Sequence, residues 1–303
     1  MEKPFLLHFA TPGPRVSPFD VNMAYDAGWT AVIPYAGVAT EDMAGFTQDA
    51  IFSRGPKGVK RTGIFIGGRD ALMAMDMLDA ARGAMVPPFQ VSVFADPSGA
   101  YSTAAAMVAK TEQVLAAKHG GALAGCRVVV FGGTGPVGMV AATLAAQAGA
   151  RVTIPGHDGL ARAQAATQAI NARFGVDVAP ADGSSDSAKA ALLGEAQVIL
   201  TTAKAGVQVI GRAHLAQAQA LLVAADINAV PPAGVEGIGF MDEGAPLESA
   251  SGKSVGIGPL AIGNLKYKTQ QGLLQAMLGA ESPLYLGFAE CLAEARRHLA
   301  HAA

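Results

Sequence analysis

Short apolar runs alternate with amphipathic stretches through the first hundred residues. Phe5–Phe9, Ala31–Tyr35, Gly63–Ile66 and Phe89–Phe94 are each bounded by Gly, Pro or Asp, the pattern of buried strands. Between them, Thr40 with Glu41 and Asp42 predicts a capped helix start. Asp70 opens a second helix with apolar Leu72, Met75, Leu78 and Ala81. Met73, Met75 and Met77 are read as mostly core rather than as a ligand set. Ser98-Gly99 then leads into a helix with Ala104, Met107, Val108, Thr111 and Leu115 on one face, ending near Gly120-Gly121 and expected to bridge two domains.

A second alternating series follows: Arg127–Phe131, Arg151–Ile154, Val198–Thr201, Leu221–Ala224 and a shorter Val255–Ile257. Strand, helix, strand throughout predicts parallel sheets with right-handed crossovers. Leu284, Phe288, Leu292, Ala295 and Leu299 recur at helical spacing, so the chain is expected to end on an amphipathic helix docked on the first domain. The expected fold class is α/β, with two doubly wound domains: residues 1–100, joined by the helix at about 281–303, and residues 101–280.

Composition narrows the function. With 303 residues the chain can bury two cores. Hydrophobic residues make up 51% and charged ones 15%, yet no apolar run approaches the roughly 18 residues of a membrane span. A net charge of -2 and a single Trp give no footprint for a nucleic-acid partner, so a small-molecule ligand is expected. Cys126 and Cys291 lie far apart in apolar stretches and read as buried thiols. The opening Met1-Glu2-Lys3-Pro4 precedes no signal-like apolar region, and a cytoplasmic location is expected.

The strongest local signal is Gly133-Thr134-Gly135-Pro136-Val137-Gly138, directly after Val128–Phe131 and before the helical run Met139–Ala148. Here Gly133 is read as permitting the tight turn, Gly135 as letting backbone approach a pyrophosphate, and Gly138 as letting the helix pack on the strand. The helix N-terminus would supply N–H groups and positive dipole to phosphates. This predicts a Rossmann-type dinucleotide-binding domain. The next strand runs into Gly156-His157-Asp158, where the adenosine ribose is expected. Asp158 has the spacing of an acid that holds a 2′-hydroxyl, while His157 is a partly charged substitute for the arginine that a 2′-phosphate prefers. NAD, with NADP tolerated, is the expected cofactor. Thr202-Ala203 and Asp226-Ile227-Asn228 end two further strands beside it. Asp226 reads equally well as a ribose or carboxamide ligand and as a cap for the Pro231-Pro232 turn.

Taken with Ser17-Pro18-Phe19-Asp20-Val21, Tyr25-Asp26-Ala27-Gly28, Asp96-Pro97-Ser98-Gly99 and Thr103–Ala106, this loop resembles that of the bacterial methylene-tetrahydromethanopterin dehydrogenases of methylotrophs. So do Ala225–Pro232, with its AD-x-NA-x-PP pattern, and Gly256–Gly258 running to Leu265-Lys266-Tyr267-Lys268. The resemblance covers nearly the whole chain. It implies hydride transfer from the methylene bridge between two pterin nitrogens to nicotinamide, giving a methenyl cation. It also implies a pterin in the cleft between domains, near Phe19, Asp20, Asp96, Ser98, Ser102 and Thr103. Lys266 would position the pterin, Gly258 would adjoin the cofactor, and a homo-oligomer is expected. NADP-restricted relatives carry arginine where this chain has His157, so the likeness is to the branch using NAD or both cofactors.

Such a reaction needs no proton transfer, and no metal motif is expected; His298 and His301 are read as a solvated tail. Two other readings stay open. One is a methylenetetrahydrofolate dehydrogenase, for which a basic tail-binding patch would speak. The other is a dinucleotide-sensing protein without turnover, for which the polar loop Asp96–Thr103 and Lys266 would have no use.

Overall fold

A computed structural model describes residues 2–301, so Met1, Ala302 and Ala303, all three expected in the first domain, lie outside the described residues. The chain divides into two compact units: the N-terminal stretch to Ser102 with Tyr267–His298, and Thr103–Lys266 with the last residues from Leu299. Residues 267–280, expected in the second domain, therefore group with the first. The cause is the burial of that helical segment among first-unit residues, including the Trp29 Nε1 that donates to the Leu274 carbonyl at 3.3 Å.

The first unit is a five-stranded, all-parallel sheet. Its strands are β1 (Leu6–Thr11), β2 (Ala31–Ala36), β3 (Thr62–Ile66), β4 (Ser92–Ala95) and β12 (Tyr285–Leu286), in the order β12-β4-β3-β1-β2. Both central strands β3 and β4 are buried along their whole length, as strands covered on two faces must be. Phe9, Phe65 and Phe94 stand side by side across β1, β3 and β4, with ring centroids 4.8 and 5.4 Å apart and edge-to-face. Helices α1 (Pro18–Asp26), α2 (Met43–Phe52), α3 (Gly55–Val59) and α4 (Ala71–Gly83) connect the strands. Asp70 caps α4 as expected, its Oδ1 accepting from the Leu72 and Met73 N–H groups at 2.9 Å. The buried stripe of α4 is Ala71, Ala74, Met77, Leu78 and Ala81, so of the three methionines only Met77 is core and Met73 is exposed. Asp42, not Thr40, caps the turn before α2, accepting from the Ala39 N–H at 2.9 Å.

Helix α5 (Ala100–His119) leaves the first unit and opens the second. There β5 (Arg127–Phe131), β6 (Arg151–Gly156), β7 (Val178–Asp182), β8 (Val198–Thr201), β9 (Val223–Asp226), β10 (Glu243–Pro246) and β11 (Val255–Ile257) form a sheet ordered β10-β11-β9-β8-β5-β6-β7. It is parallel except at its edge, where β10 pairs antiparallel with β11, a departure from the all-parallel expectation. Helices α6 (Pro136–Gln147), α7 (Leu160–Phe174), α8 (Asp186–Glu195), the short α9 (Arg212–Leu215) and the long α10 (Pro259–Leu278) follow.

The final helix, α11 (Phe288–Ala300), buries Phe288, Cys291, Leu292 and Ala295, with Phe288 edge-on to Tyr101 at 5.6 Å. Leu284, expected on the helical stripe, precedes β12 instead: its N–H donates to Ser92 Oγ and its carbonyl accepts from the Val93 N–H. Among the described residues no helix is long and apolar enough to cross a membrane, and Cys126 and Cys291 are both buried.

Candidate functional site

In a doubly wound sheet, ligands sit beyond the carboxyl ends of the strands where the strand order reverses. In the second unit that point lies between β5 and β8. The turn after β5 is built by Gly132, not Gly133: Gly132 takes φ +78°, and a Cβ there would lie 2.6 Å from the Thr202 backbone. Gly133 is hemmed in by the Ile154 side chain at 2.7 Å. Gly138 lies so close to Gly132 and Gly133 that a Cβ would meet the Gly132 carbonyl at 2.4 Å, which is what lets α6 start against the loop. Gly135, at the N-cap of α6, has φ -91° and room for a Cβ, with nothing nearer than 3.4 Å. The first N–H groups of α6 are therefore presented at a place the fold leaves open.

That place opens into a cavity of about 560 Å³, lined by Thr134, Gly135, His157, Thr202 and Ala203 of the expected residues. Thr202 is fixed against β5, its Oγ1 and N–H both donating to the Phe131 carbonyl at 3.0 and 2.8 Å. Gly133, Pro136, Val137 and Gly138 are not part of that lining. Gly156 is structural, since a Cβ there would meet the Gly159 carbonyl at 2.0 Å. Asp158 is not part of the lining; it faces His157 Nδ1 at 3.9 Å and Arg162 at 4.0 Å. Arg162 and Lys189 do line the cavity, from the first turns of α7 and α8, and were not foreseen. The overlooked signal is a basic residue one turn into the helix that follows each cofactor strand.

Asp226 and Asn228 hydrogen-bond within their own loop. The buried Asp226 carboxylate accepts from Thr201 Oγ1 at 2.7 Å, the Asn228 N–H at 3.0 Å, and the Gly234 and Val235 N–H groups at 2.7 and 3.3 Å. The Asn228 amide donates to the Pro232 carbonyl and accepts from the Gly206 and Val230 N–H groups. The hydrogen bonds of Asp226 to Gly234 and Val235 are of the kind the capping alternative expects. Gly258 serves packing too, with Gly239 and Phe240 carbonyls within 2.0 and 2.6 Å of a Cβ.

In the first unit the strand order reverses between β1 and β3. The segments leaving the carboxyl ends of β1 and β4 carry the expected substrate residues. Phe19 is half-exposed on α1. Beside it the Asp20 side chain is buried, its Oδ1 accepting from Gln270 Nε2 at 2.7 Å. Asp96 and Ser102 are turned toward each other: Asp96 Oδ2 accepts from Ser102 Oγ at 2.6 Å, and Oδ1 accepts from the Tyr101 and Ser102 N–H groups at the start of α5. They form a helix cap and leave Ser98 and Thr103 as the accessible members of the loop. Ser98 has φ +51°, a left-handed conformation, and its Oγ donates to the Gly68 carbonyl at 2.7 Å. Lys266 is half-buried on α10, and Gln270 lies one turn further along the same helix. Gln270 was not anticipated, because a glutamine within a helix reads as a solvated position. His298 is no solvated tail: its Nε2 lies 3.1 Å from the Lys268 carbonyl and 3.0 Å from Glu294. His301 is exposed. Among the described residues no group of three His, Cys, Asp or Glu side chains is gathered as metal ligands would be.

The reversed strand order, the glycine loop at its switch point and the cavity beside it define the class: a two-unit α/β protein with a Rossmann-type unit. The ligand-free 5-ketofructose reductase of a Gluconobacter strain has the same fold, with a TM-score of 0.53 at 17% identity over 98% of this chain and 99% of that one. The family described as methylene-tetrahydromethanopterin dehydrogenase, N-terminal, matches residues 18–98. Two proteins of Methylorubrum extorquens align along most of their length. The NAD(P)-dependent methylenetetrahydromethanopterin dehydrogenase is 48% identical over 93% of this chain and 95% of its own. The bifunctional protein MdtA is 33% identical over 94% and 96%. The chain belongs to the methylene-tetrahydromethanopterin dehydrogenase family.

Proposed function

We propose that the protein oxidises methylene-tetrahydromethanopterin to the methenyl form with NAD, accepting NADP as well. The observation that carries this reading is the 48% identity, over nearly the whole chain, to a relative named for that reaction. Bound nicotinamide would accept the methylene hydrogen with its electron pair, leaving a cation delocalised over the two pterin nitrogens.

The residues present suit such a cofactor. Gly135 leaves space at the N-terminus of α6, where free N–H groups favour phosphate, and small Thr202 and Ala203 line the same cavity. The chain's remaining task is placement. Phe19 offers a ring face to the pterin; Ser98 and Thr103 offer hydroxyls. Lys266 holds a pterin oxygen or the ring edge, and the Gln270–Asp20 hydrogen bond steadies α1 beneath Phe19. A homo-oligomer in the cytoplasm is part of the same reading.

Reduction of NAD and of NADP followed with methylene-tetrahydromethanopterin and methylene-tetrahydrofolate in parallel tests the assignment. Turnover of the methanopterin substrate is expected; activity with neither substrate overturns it. Lys266→Ala should lower kcat/KM for the methylene substrate by about 10- to 100-fold, the range of a lost charged hydrogen bond. The dissociation constant for NAD should stay near wild type. Full activity in that variant would remove Lys266 from the site.

A further inference from the structure

The cavity beside the glycine loop has a charge pattern that an NAD site does not need. His157, Arg162, Lys189 and Lys204 all line it, and among the described residues lining it none is acidic. A ribose 2′-hydroxyl calls for an acceptor, whereas a 2′-phosphate calls for cationic donors. Gly156 and Asp182 are paired neighbours at the ends of β6 and β7, and the first turns of α7 and α8 bring Arg162 and Lys189 to the rim above them.

We propose that Arg162, with Lys189 beside the same cavity, is the seat of the 2′-phosphate of NADP, and that Asp158 is the alternative partner for the 2′-hydroxyl of NAD. The proposal rests on the reading of this cavity as the dinucleotide site. Asp158 lies just outside the cavity lining, in the turn before α7, and Arg162, which lines it, is in the first turn of that helix; the two side chains are 4.0 Å apart and both are about half exposed. An ion pair of that kind contributes little, so either member separates from the other at small cost. With NAD bound, the Asp158 carboxylate accepts from the ribose and Arg162 turns to solvent. With NADP bound, the guanidinium makes a bidentate, charge-assisted contact that outweighs its contact with Asp158. Lys189 has a side chain only 22% exposed and keeps only a loose contact with Asp186, at 3.9 Å, so its charge remains available to the cavity. One acid and two bases, none locked to the others, thus admit both cofactors where a fixed arginine or a fixed acid would select one.

The test is calorimetric titration of the full-length protein with NAD and with NADP, without pterin, for wild type, Arg162→Gln, Lys189→Gln and Asp158→Asn. Arg162→Gln should shift the ratio of the two dissociation constants toward NAD by about 10-fold or more, the scale of a lost charged contact. Lys189→Gln should shift it the same way by less, and raising salt should weaken wild-type NADP binding more steeply than NAD binding. Asp158→Asn should shift the ratio toward NADP. A ratio unmoved by Arg162→Gln and Lys189→Gln overturns the assignment while leaving the dinucleotide site intact. Failure of the wild type to bind either nucleotide overturns both.

Discussion

A side chain at Gly135 would meet nothing closer than the Gly132 carbonyl at 3.4 Å, whereas one at Gly138 would overlap that same oxygen at 2.4 Å. The two glycines therefore predict different phenotypes. Gly135→Val should fold with a Tm within a few degrees of wild type and lose NAD binding in a calorimetric titration. Gly138→Ala should cost about 1–3 kcal/mol of stability, as overpacking does, read from denaturant unfolding. The sequence could not separate these roles, since all four loop glycines look alike until the neighbouring backbone of Thr202 is in place. His8 gives a pH signature of a different kind. Its imidazole on β1 is held below the ordinary histidine range by burial and by the nearby Arg54 guanidinium. The unfolded chain takes up that proton near pH 6.5 while the folded one resists it. Stability is therefore full above that pH and falls as the pH drops toward the folded value. Thermal unfolding between about pH 7.5 and 5.5 should show a smaller loss of Tm in His8→Gln than in wild type.

Elements with an apolar run or a cap were legible in advance; those defined only by their neighbours were not. β5 and its glycine loop declare themselves because a buried strand and a phosphate turn both constrain residue type. β7 reads Val-Ala-Pro-Ala-Asp with only its first residue buried, β10 reads Glu-Gly-Ala-Pro at a sheet edge, and β12 is two residues long, so none leaves an apolar run to detect. The loop after β9 is the middle case: its AD-x-NA-x-PP pattern was visible, but whether Asp226 faced a ligand or its own backbone depended on where Gly234 and Val235 fold back. With four donors converging on that carboxylate, Asp226→Ala should strand several buried N–H and hydroxyl groups. It should cost at least about 1–3 kcal/mol and loosen the segment Asn228–Gly234, measured by hydrogen exchange.

The first unit is assembled from both ends of the chain. Its sheet closes with β12, and α10 supplies Leu274 to Trp29 and Gln270 to Asp20. Trp29 is the single tryptophan of the sequence and is buried, so its fluorescence reports this assembly directly. A chain ending at Lys266 should show red-shifted emission and an unfolded first unit. The order of synthesis then differs from the order of folding. The second unit is complete in sequence once Lys266 has left the ribosome, except for the last residues from Leu299. The first unit, although made first, must wait with the β12-facing edge of β4 unpaired until Tyr285–Leu286 emerge. An unpaired strand edge is an aggregation hazard. For the nascent protein the vulnerable interval is thus the time taken to translate the second unit and the stretch that follows it as far as Tyr285–Leu286.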